Sequence, residues 1–336
     1  MNIVHIADVL AVGGLETNIA TVLNGLSERG HNASLISQYV SVEMYNALNT
    51  SVNVLNEKLD YSIYEKYILD NNIQVIHVHP YEALSIGVTL AENFNLPVVS
   101  TYHGLWGWNR TIHNKFNSMI AVSQEVKDLL VKNTELINKI VIIQNGIDIN
   151  KFYKKDMPES KSTILFIGRL DLDKVYSIKH IINAVKDLDV NLLIAGSGGE
   201  FDNLKKIVPD WVTLLGHVED MNEVINQASI VIGTGRGIRE SMLCGKVCIS
   251  MDACWYDGVV NKDTIEYIEY CNFSGRSKTR VPISPDVILR DISSLLLNDN
   301  LRQDIGMWSR EYALKYYTSD GFIDRHIELY EKLLKG

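Results

Sequence analysis

Short apolar runs alternate along the chain with longer stretches in which apolar residues recur at helical spacing. Ile3–Ala7 predicts a strand, and Leu15–Arg29 predicts the helix that follows it. Further strands of this half are predicted at Ala33–Ser37, Val75–Val78, Val98–Tyr102, Ser118–Val122 and Ile140–Ile143, and helices at Leu59–Asn71, Tyr81–Asn93 and Gln124–Asn133. Strands that are apolar on both faces and alternate with helices predict a parallel sheet covered by helices.

The alternation restarts after a polar stretch at Asn150–Thr163, which carries Pro158 and predicts a linker. The second half has predicted strands at Thr163–Ile167, Asn191–Ala195, Val212–Leu215, Ile230–Ile232 and Val247–Ser250, with helices at Ile178–Lys186, Glu200–Val208, Met221–Gln227 and Arg239–Cys244. Pro285–Leu297, Leu301–Tyr316 and Asp320–Leu334 predict a helical tail. Two α/β units in series predict a cleft between domains, with ligands beyond the carboxyl ends of the strands.

The composition supports this organisation and excludes some functions. A chain of 336 residues suits two domains of roughly 150 residues each. A net charge of -9, from 32 basic and 41 acidic residues, argues against a nucleic-acid binder, which needs a basic stripe for phosphates. A small patch of Lys151, Lys154 and Lys155 leaves room for weak peripheral contact with a membrane.

The cysteines and the amino terminus bear on location. The four cysteines form no CxxC pair and have no clustered histidines beside them, so we expect reduced thiols and no metal. Met1–Asp8 lacks the basic segment of a signal peptide, and no apolar run approaches the ~20 residues that span a bilayer. We therefore expect a cytoplasmic protein, with peripheral contact at the inner membrane face left open.

Two stretches of the first half could carry chemistry. Gly13 and Gly14 let the backbone turn sharply and approach a ligand, although an ordinary strand-to-helix turn explains them equally well. His103 follows a predicted strand, where it could hydrogen-bond a sugar hydroxyl or phosphate, or transfer a proton. A lone histidine is more often a loop residue without chemistry. Trp106 and Trp108 could stack on a sugar ring or cap the core.

Two further stretches lie in the second half. Arg169 offers forked donors to phosphate oxygens and Lys174 adds a point charge, so the pair could hold a diphosphate without a metal. Two loop cations are otherwise ordinary solvated surface. The glycine-rich stretch Gly233–Gly237 precedes a helix, and its amides together with Arg236 could bind phosphate. Glu240 could accept both vicinal hydroxyls of a ribose, or simply oppose the helix dipole from the first turn.

Taken in order, these stretches resemble the retaining glycosyltransferases of the family 4 type, which have the GT-B fold. The matching pieces are Gly13-Gly14-x-Glu16, His103-Gly104, Val122-Ser123, Asn145-Gly146-Ile147-Asp148 with Phe152, Gly168-Arg169 with Lys174, Ala195-Gly196-Ser197-Gly198, Leu215-Gly216-His217-Val218, and Glu240-Ser241-Met242 ending in Gly245. Each piece is short, but their order and spacing over nearly the whole chain make the match specific.

The resemblance implies an α/β protein with two Rossmann-like domains that face a cleft. It implies an acceptor-binding domain at 1–157, a nucleotide-sugar-binding domain at 158–316, and a final helix at 317–336 that packs back on the first domain. It implies catalytic roles for Arg169 and Lys174 at the diphosphate and for His103 at the transferred sugar or the phosphate. The implied substrate-binding residues are Gly13, Gly14, Glu16, Gly216, His217, Val218, Gly235, Arg236, Gly237 and Glu240, with Glu240 at the ribose and 216–218 near the base.

The sequence departs from the family at two places. The family usually has a glutamate eight residues before the ribose-binding one, and Ile232 stands there, with a shortened loop at Gly235–Gly237. That carboxylate normally reaches hydroxyls of the donor sugar, so the donor stays open and Arg236 could serve an altered pocket. The family also prefers glycine where Val175 follows Lys174. Because Arg169, Lys174 and Glu240 remain, the chain is interpreted as a divergent subgroup.

The resemblance implies a retaining, metal-independent hexosyltransferase without a cofactor. It would move a sugar from a nucleoside-diphosphate sugar, with a UDP-sugar favoured, to a glycan, lipid-linked sugar or small molecule. A catalytically silent nucleotide-sugar-binding subunit and a nucleotide-sugar epimerase of the same fold are the alternatives. A nicotinamide dehydrogenase is disfavoured because no predicted strand is followed by GxGxxG.

Overall fold

The computed structural model describes residues 1–105, 110–133, 136–156, 162–277 and 279–335, without the side chains of 110 and 111. The chain forms two compact units: unit 1 comprises Met1–Gly146 and Ser319–Gly336, and unit 2 comprises Ile147–Thr318. The predicted boundary between 157 and 158 lies outside the described residues. The chain already enters unit 2 at Ile147, because Ile147 pairs with Thr318 and Phe152 is buried in that unit's core.

Unit 1 is a parallel sheet with helices on both faces. Its strands are β1 (Asn2–Leu10), β2 (Asn32–Val40), β3 (Asn53–Asn56), β4 (Val75–Val78), β5 (Val98–Tyr102), β6 (Ser118–Ala121) and β7 (Ile140–Ile142). Its helices are α1 (Gly14–Glu28), α2 (Val42–Ala47), α3 (Tyr61–Asp70), α4 (Ala83–Phe94), α5 (Arg110–His113), α6 (Gln124–Asn133) and α14 (Ser319–Lys335). The strand order is β3-β2-β1-β4-β5-β6-β7, with every pair parallel.

Both faces of this sheet are buried, as its mainly apolar strands predict. One core lies on each face, and β4, β5 and β6 are buried along their whole length. Helix α14 packs against α1, where a Cβ added to Gly25 would lie 2.0 Å from Ile323 Cδ1. Glycine at this position therefore lets the two helices approach closely, and the last helix belongs to the core of unit 1.

Unit 2 has a second sheet of seven strands. They are β8 (Thr163–Ile167), β9 (Asn191–Ala195), β10 (Val212–Gly216), β11 (Ile230–Gly233), β12 (Val247–Met251), β13 (Trp255–Val259) and β14 (Val281–Pro282). The helices are α7 (Leu172–Val185), α8 (Phe201–Ile207), α9 (Met221–Gln227), α10 (Arg236–Leu243), α11 (Ile265–Tyr270), α12 (Pro285–Leu296) and α13 (Asp299–Tyr316). The strand order is β10-β9-β8-β11-β12-β13-β14.

One edge of this second sheet differs from the prediction, which expected parallel strands only. Strands β13 and β14 are antiparallel to their neighbours. The chain reverses between β12 and β13 in a tight turn, in which the Asp252 carboxylate accepts a hydrogen bond from the Cys254 amide and the Asp252 amide donates to Trp255. So short a turn cannot provide the crossover that a parallel pair requires.

Other differences from the predicted elements are local. The short elements α2, β3 and α11 contain too few residues to show a clear period, and the sequence did not predict them. Helices α7 and α10 begin at Leu172 and Arg236, earlier than predicted, so Lys174 and Arg236 lie in first helical turns. Among the described residues, no helix is both long enough and apolar enough to cross a membrane.

Candidate functional site

The carboxyl edge of the unit 2 sheet brings two of the predicted stretches together. Strands β8 and β11 are hydrogen-bonded neighbours, with Ile167 opposite Gly233. A Cβ added to Gly233 would lie 2.6 Å from the Ile167 carbonyl oxygen, and one added to Gly237 would lie 3.0 Å from Ile167 Cγ2. The glycine-rich loop therefore packs directly against the start of the Gly168-Arg169 loop.

The loops after β9 and β10 join the same edge. The Gly196 amide donates to the Gly216 carbonyl oxygen at 2.8 Å, and the Leu170 amide donates to Ser197 at 2.9 Å. Gly196 has a φ of +147°, and a Cβ there would lie 1.9 Å from the Gly168 carbonyl oxygen. The loops after four parallel strands thus form one continuous backbone surface, the location where α/β sheets bind ligands.

The two predicted cations of this edge are each paired with a nearby carboxylate. Arg169 Nε lies 2.7 Å from Asp171 Oδ2, and its side chain is 78% exposed. Lys174 Nζ lies 3.3 Å from Asp173 Oδ2, and its side chain is 17% exposed. Because ion pairs at a water-exposed carboxylate contribute only about 0–1 kcal/mol, a diphosphate can compete for both cations.

Glu240 and Arg236 form an ion pair on α10. Arg236 Nε donates to Glu240 Oε1 at 2.7 Å, one helical turn away. Burial raises the pKa of the Glu240 carboxyl, while the charges of Arg236 and Lys151 lower it. Because α10 begins at Arg236, Glu240 lies in the second turn, and the interpretation of Glu240 as a first-turn acid is wrong.

Arg239 has a structural role that the sequence does not distinguish from that of Arg236. Its guanidinium is fully buried, 4.9 Å from the centre of the Phe273 ring and 5.1 Å from that of Tyr317. It also donates a hydrogen bond to the Asn272 side chain. Arg239 therefore points into the core behind α10 and not toward the glycine-rich loop.

The position of the family's first glutamate is part of the core. Ile232 is completely buried inside β11, in register with Phe166 of β8. A carboxylate at this position would be buried in the core. The strand ends at Gly233, so the loop that follows it begins after that residue.

The stretch predicted to lie near a base follows β10. Gly216 has a φ of +67°, a conformation that favours glycine. His217 is exposed, whereas Val218 packs against the core cluster around Ile225 and Ile238. His217 is thus the member of this stretch whose side chain is open to a ligand.

In unit 1, the predicted glycine turn lies between β1 and α1. The Thr17 hydroxyl donates to the Gly13 carbonyl oxygen at 2.7 Å, and a Cβ added to Gly13 would lie 2.3 Å from Glu16 Oε2. The Glu16 carboxylate therefore folds back over the turn. A Cβ added to Gly14 meets no described atom within 4 Å, so packing against the described part of the unit does not require glycine there.

His103 follows β5 and is hydrogen-bonded to a second histidine. Its Nε2 lies 3.1 Å from His79 Nδ1. Its Nδ1 is buried and has no hydrogen-bond partner among the described residues. Burial lowers the pKa of His103 to about 3, so the ring is neutral at neutral pH. A neutral imidazole can form hydrogen bonds with a hydroxyl, but it offers a phosphate no full positive charge.

Four more histidines surround His103 in unit 1, and the sequence did not single them out. They are His5, His77, His79 and His326, all buried. His5 of β1 lies opposite His77 of β4, and His79 follows two residues later on the same face. Histidines inside strands that are otherwise apolar were the available signal. Trp106 and Trp108 lie outside the described residues.

The histidine cluster does not have the geometry of a metal site. Ring nitrogens of His5, His77 and His79 lie within 4.8 Å of one another. However, the rings of His77 and His79 stack with centroids 4.7 Å apart and planes 27° apart, so their lone pairs do not converge. Zinc requires lone pairs directed at one point about 2.0–2.1 Å from each nitrogen. The cluster is better described as a hydrogen-bond network.

Comparison with known proteins covers both units. Residues 12–151 match Glycosyltransferase Family 4, and residues 161–266 match Glycosyl transferases group 1. An uncharacterized glycosyltransferase of Methanocaldococcus jannaschii, MJ1069, is 23% identical over 67% of this chain and 61% of its own length. A phosphatidyl-myo-inositol mannosyltransferase of Mycolicibacterium smegmatis is 25% identical over 63% of this chain and 61% of its own length. The chain thus spans about 61% of these two relatives.

Solved structures resemble the whole chain. A glycosyltransferase from Rickettsia africae ESF-5 has a TM-score of 0.81 at 18% identity and covers 100% of this chain and 99% of its own. Anabaena Alr3699/HepE in complex with UDP has a TM-score of 0.78 at 16% identity and covers 99% of this chain and 100% of its own. These likenesses establish the GT-B fold. The two family matches, one in each half of the chain, show that it belongs to the family 4 glycosyltransferases.

Proposed function

We propose that this chain is a retaining, metal-independent glycosyltransferase that moves a hexosyl group from a UDP-sugar to an acceptor hydroxyl. The observation that carries the proposal is the carboxyl edge of unit 2, where four glycine-containing loops, two cations and Glu240 occur together. Related structures contain UDP, or UDP with glucose, or UDP-glucose, which favours uridine as the base.

The diphosphate is assigned to the starts of α7 and α10 and to the two cations. The first amides of each helix have no intrahelical partner, and they attract anions. Arg169 supplies a fork of donors and Lys174 a point charge. As the sugar leaves, the diphosphate gains negative charge, and fixed donors stabilise that charge more than they stabilise the bound substrate. The acceptor proton passes to the departing phosphate, as the family resemblance implies.

The ribose is assigned to Glu240. A carboxylate binds two vicinal hydroxyls best when it is ionised, and burial alone would oppose ionisation. The neighbouring guanidinium of Arg236 counters that effect, because its charge lowers the pKa that burial raises. Burial remains the larger effect and the pKa of Glu240 stays above its usual value, so Arg236 offsets part of what opposes the ionised form. Gly216, His217 and Val218 are assigned to the base, and Gly235 and Gly237 to the phosphates.

The acceptor and the transferred sugar are assigned to residues of unit 1. Gly13, Gly14 and Glu16 provide a turn with room for a ligand at Gly14, and His103 offers a neutral ring to a sugar hydroxyl. The acceptor is a glycan, a lipid-linked sugar or a small molecule. Relatives named phosphatidyl-myo-inositol mannosyltransferases favour a lipid-linked acceptor and weak peripheral membrane contact. No cofactor takes part.

The proposal is tested by incubating the full chain with UDP- and GDP-sugars in the presence of EDTA and a panel of acceptors. We expect release of UDP and a product whose anomeric configuration, read by NMR, matches that of the donor. Binding of UDP-sugar without turnover would instead identify a silent subunit, and an epimerised sugar would identify an epimerase. Inversion of the anomeric centre, or loss of turnover with EDTA, would contradict the proposed mechanism.

A further inference from the structure

A continuous chain of hydrogen bonds runs through the interior of unit 1 and ends at His103. Its five contacts are Thr101 Oγ1 to His77 Nε2 at 2.6 Å, His77 Nδ1 to the Tyr330 hydroxyl at 2.6 Å, that hydroxyl to His5 Nε2 at 3.3 Å, His5 Nδ1 to His79 Nε2 at 3.0 Å, and His79 Nδ1 to His103 Nε2 at 3.1 Å. The chain joins β1, β4 and β5 to the carboxyl-terminal helix α14.

Each of the four imidazoles that this hydrogen-bond network links is neutral at neutral pH. Burial lowers the pKa of both His5 and His103 to about 3 and holds the pKa values of His77 and His79 well below the usual range. Burial also raises the pKa of the Tyr330 hydroxyl, which therefore keeps its proton. Each imidazole consequently has one N–H donor and one lone pair, and the hydroxyl has one proton to donate.

With one N–H on each imidazole and one proton on the hydroxyl, two arrangements of protons satisfy all five contacts and give the Tyr330 proton an acceptor. In the first, every donor points toward Thr101: His103 donates from Nε2, Tyr330 donates to His77, and His103 Nδ1 is an acceptor. In the second, every donor points toward His103, and His103 carries its proton on Nδ1. Any other arrangement places two donors or two acceptors face to face, or has the Tyr330 oxygen accept from both His77 and His5 and leaves its own proton without an acceptor in this network. The tautomer of His103 is thereby coupled to the Tyr330 hydroxyl, which does not contact it.

His103 Nδ1, at the end of the hydrogen-bond network, determines which of the two arrangements is favoured. His103 Nδ1 is buried and has no partner among the described residues. A buried N–H without an acceptor costs more free energy than a buried lone pair without a donor, because the N–H loses the hydrogen bond that it would make to water. Buried N–H groups without a partner are also rarer in proteins than acceptors that lack one. The arrangement with a lone pair on His103 Nδ1 is therefore favoured in the free protein.

We propose that Tyr330, His5 and His79 are positioning residues that hold His103 as the Nε2-protonated tautomer and present its Nδ1 as a hydrogen-bond acceptor. The ligand group that this atom accepts from is a hydroxyl. That this hydroxyl belongs to the transferred sugar rests on the proposed function, whereas the coupling of Tyr330 to the His103 tautomer does not. The same contacts fix the orientation of the His79 ring, because both of its nitrogens are hydrogen-bonded.

The coupling is tested on the full chain without substrate, by long-range 1H–15N spectra of protein labelled in its histidine rings. The His103 signals are assigned by their loss in His103→Asn. We expect wild-type protein to show a protonated Nε2 and an unprotonated Nδ1. In Tyr330→Phe the hydroxyl is gone, and we expect the His103 signals to move toward a mixture of tautomers. Tyr64→Phe is the matched control, since it removes a buried hydroxyl of unit 1 that donates to Glu57 instead.

A second variant guards against misfolding of the first. Thr101→Val has nearly the same shape and removes the acceptor at the far end of the chain. His77 then gains by moving its proton to Nδ1, and we expect the population of Nδ1-protonated His103 to rise. Unchanged His103 signals in both variants, with folded backbone spectra, would overturn the proposal. A wild-type His103 protonated on Nδ1 would overturn it as well, and so would zinc bound to His5, His77 and His79.

Turnover separates this inference from the proposed function. With an active UDP-sugar and acceptor, we expect Tyr330→Phe to lower kcat roughly 5-fold, the effect of weakening one neutral hydrogen bond, with little change in KM for the donor. If the His103 tautomer shifts in the variants but the protein transfers no sugar, the proposed function is rejected and the coupling of Tyr330 to His103 stands. If the enzyme is active and the His103 tautomer is the same in the variants as in the wild type, the coupling alone is rejected.

Discussion

The two sheets of this protein share the topology of their first five strands but differ in the electrostatics of their carboxyl edges. The order β3-β2-β1-β4-β5 in unit 1 corresponds to β10-β9-β8-β11-β12 in unit 2. In unit 1 the edge presents histidines that burial keeps neutral, ending at His103. In unit 2 it presents charged groups, Arg169, Lys174 and the Arg236–Glu240 pair. Because the strand order is the same, this difference comes from the side chains that each edge carries and from their partners, and not from topology.

The same contrast appears within one helix of unit 2. Arg236 and Arg239 lie three residues apart on α10, yet the first pairs with Glu240 and the second is enclosed by Phe273 and Tyr317. An arginine facing a ligand surface acts through its charge, whereas one enclosed by aromatic rings acts through packing and cation–π contacts. The residue type alone therefore does not reveal which of the two is functional.

The largest expected effect is that mild acid unfolds unit 1 before unit 2. The five clustered histidines have pKa values lowered by burial, to about 3 for His5 and about 4 for His326, against 6.5 in the unfolded chain. Above pH 6.5 neither state binds these protons, so stability is unaffected. As the pH falls from 6.5 toward 4, the unfolded chain takes up protons that the native state excludes, and His5, His103 and His326 each cost roughly 2 kcal/mol of stability by pH 5.

Hydrogen exchange resolved by peptide, corrected for intrinsic rates and compared at pH 7.5 and pH 5, checks this expectation. Peptides from β1, β4, β5 and α14 should lose protection before those from β8 and β11. Earlier loss in unit 2 would show that the histidine cluster does not limit acid stability.

Replacing Arg239 is the next largest effect, because it should destabilise unit 2. Arg239→Ala removes a fully buried side chain and its cation–π contacts, and leaves the Asn272 side chain without its donor. We expect the free energy of unfolding to fall by about 3–5 kcal/mol, measured by urea denaturation. Arg290→Ala is the control, since Arg290 is exposed, and it should change stability by less than about 0.5 kcal/mol. Equal effects in both variants would contradict the structural role of Arg239.

Replacing Arg169 should affect turnover and leave stability intact. Its side chain is 78% exposed and, within the described part of the chain, its ion pair is with Asp171 two residues later, so Arg169→Ala should fold normally. Loss of one fixed donor at the developing charge should lower kcat about 10²–10³-fold, by analogy with oxyanion-hole deletions. Kinetics with the best UDP-sugar check this, with Arg290→Ala as the variant that keeps activity. Near-normal turnover of Arg169→Ala would remove Arg169 from the catalytic residues.

The smallest expected effect concerns a helix cap in unit 1. The Asp8 carboxylate, near the end of β1, accepts hydrogen bonds from the amides of Tyr81, Glu82 and Ala83 at 2.8 Å each. A side chain of β1 therefore caps the start of helix α4. Asp8→Ala should cost about 1–2 kcal/mol of stability, and Asp8→Asn less, because an amide oxygen can still accept. Thermal or urea unfolding measures both, and equal losses would show that the cap depends on charge alone.

Much of the fold and part of the site could be predicted from the sequence. The strands Val75–Val78, Val98–Tyr102 and Thr163–Ile167 lie where their mainly apolar runs predict them. The glycines of 233–237 and Arg169 stand next to such strands in the sequence, so their place at a sheet edge follows from chain connectivity. These features are local, and a local pattern is enough to predict them.

What the tertiary structure decided depends on residues far apart in the chain. His5, His79 and Tyr330 come from β1, the end of β4 and α14, and no local pattern shows that they share one hydrogen-bond network. Burial by the surrounding cores keeps the rings of His5 and His79 neutral. The start of α10 at Arg236 places the guanidinium one helical turn from Glu240, within hydrogen-bond distance. The amino-acid order alone specified the alternation of strands and helices and the chemistry available at each sheet edge. Which of those groups are charged, and which contact one another, was decided by packing, because desolvation and hydrogen bonding depend on neighbours that only the folded chain supplies.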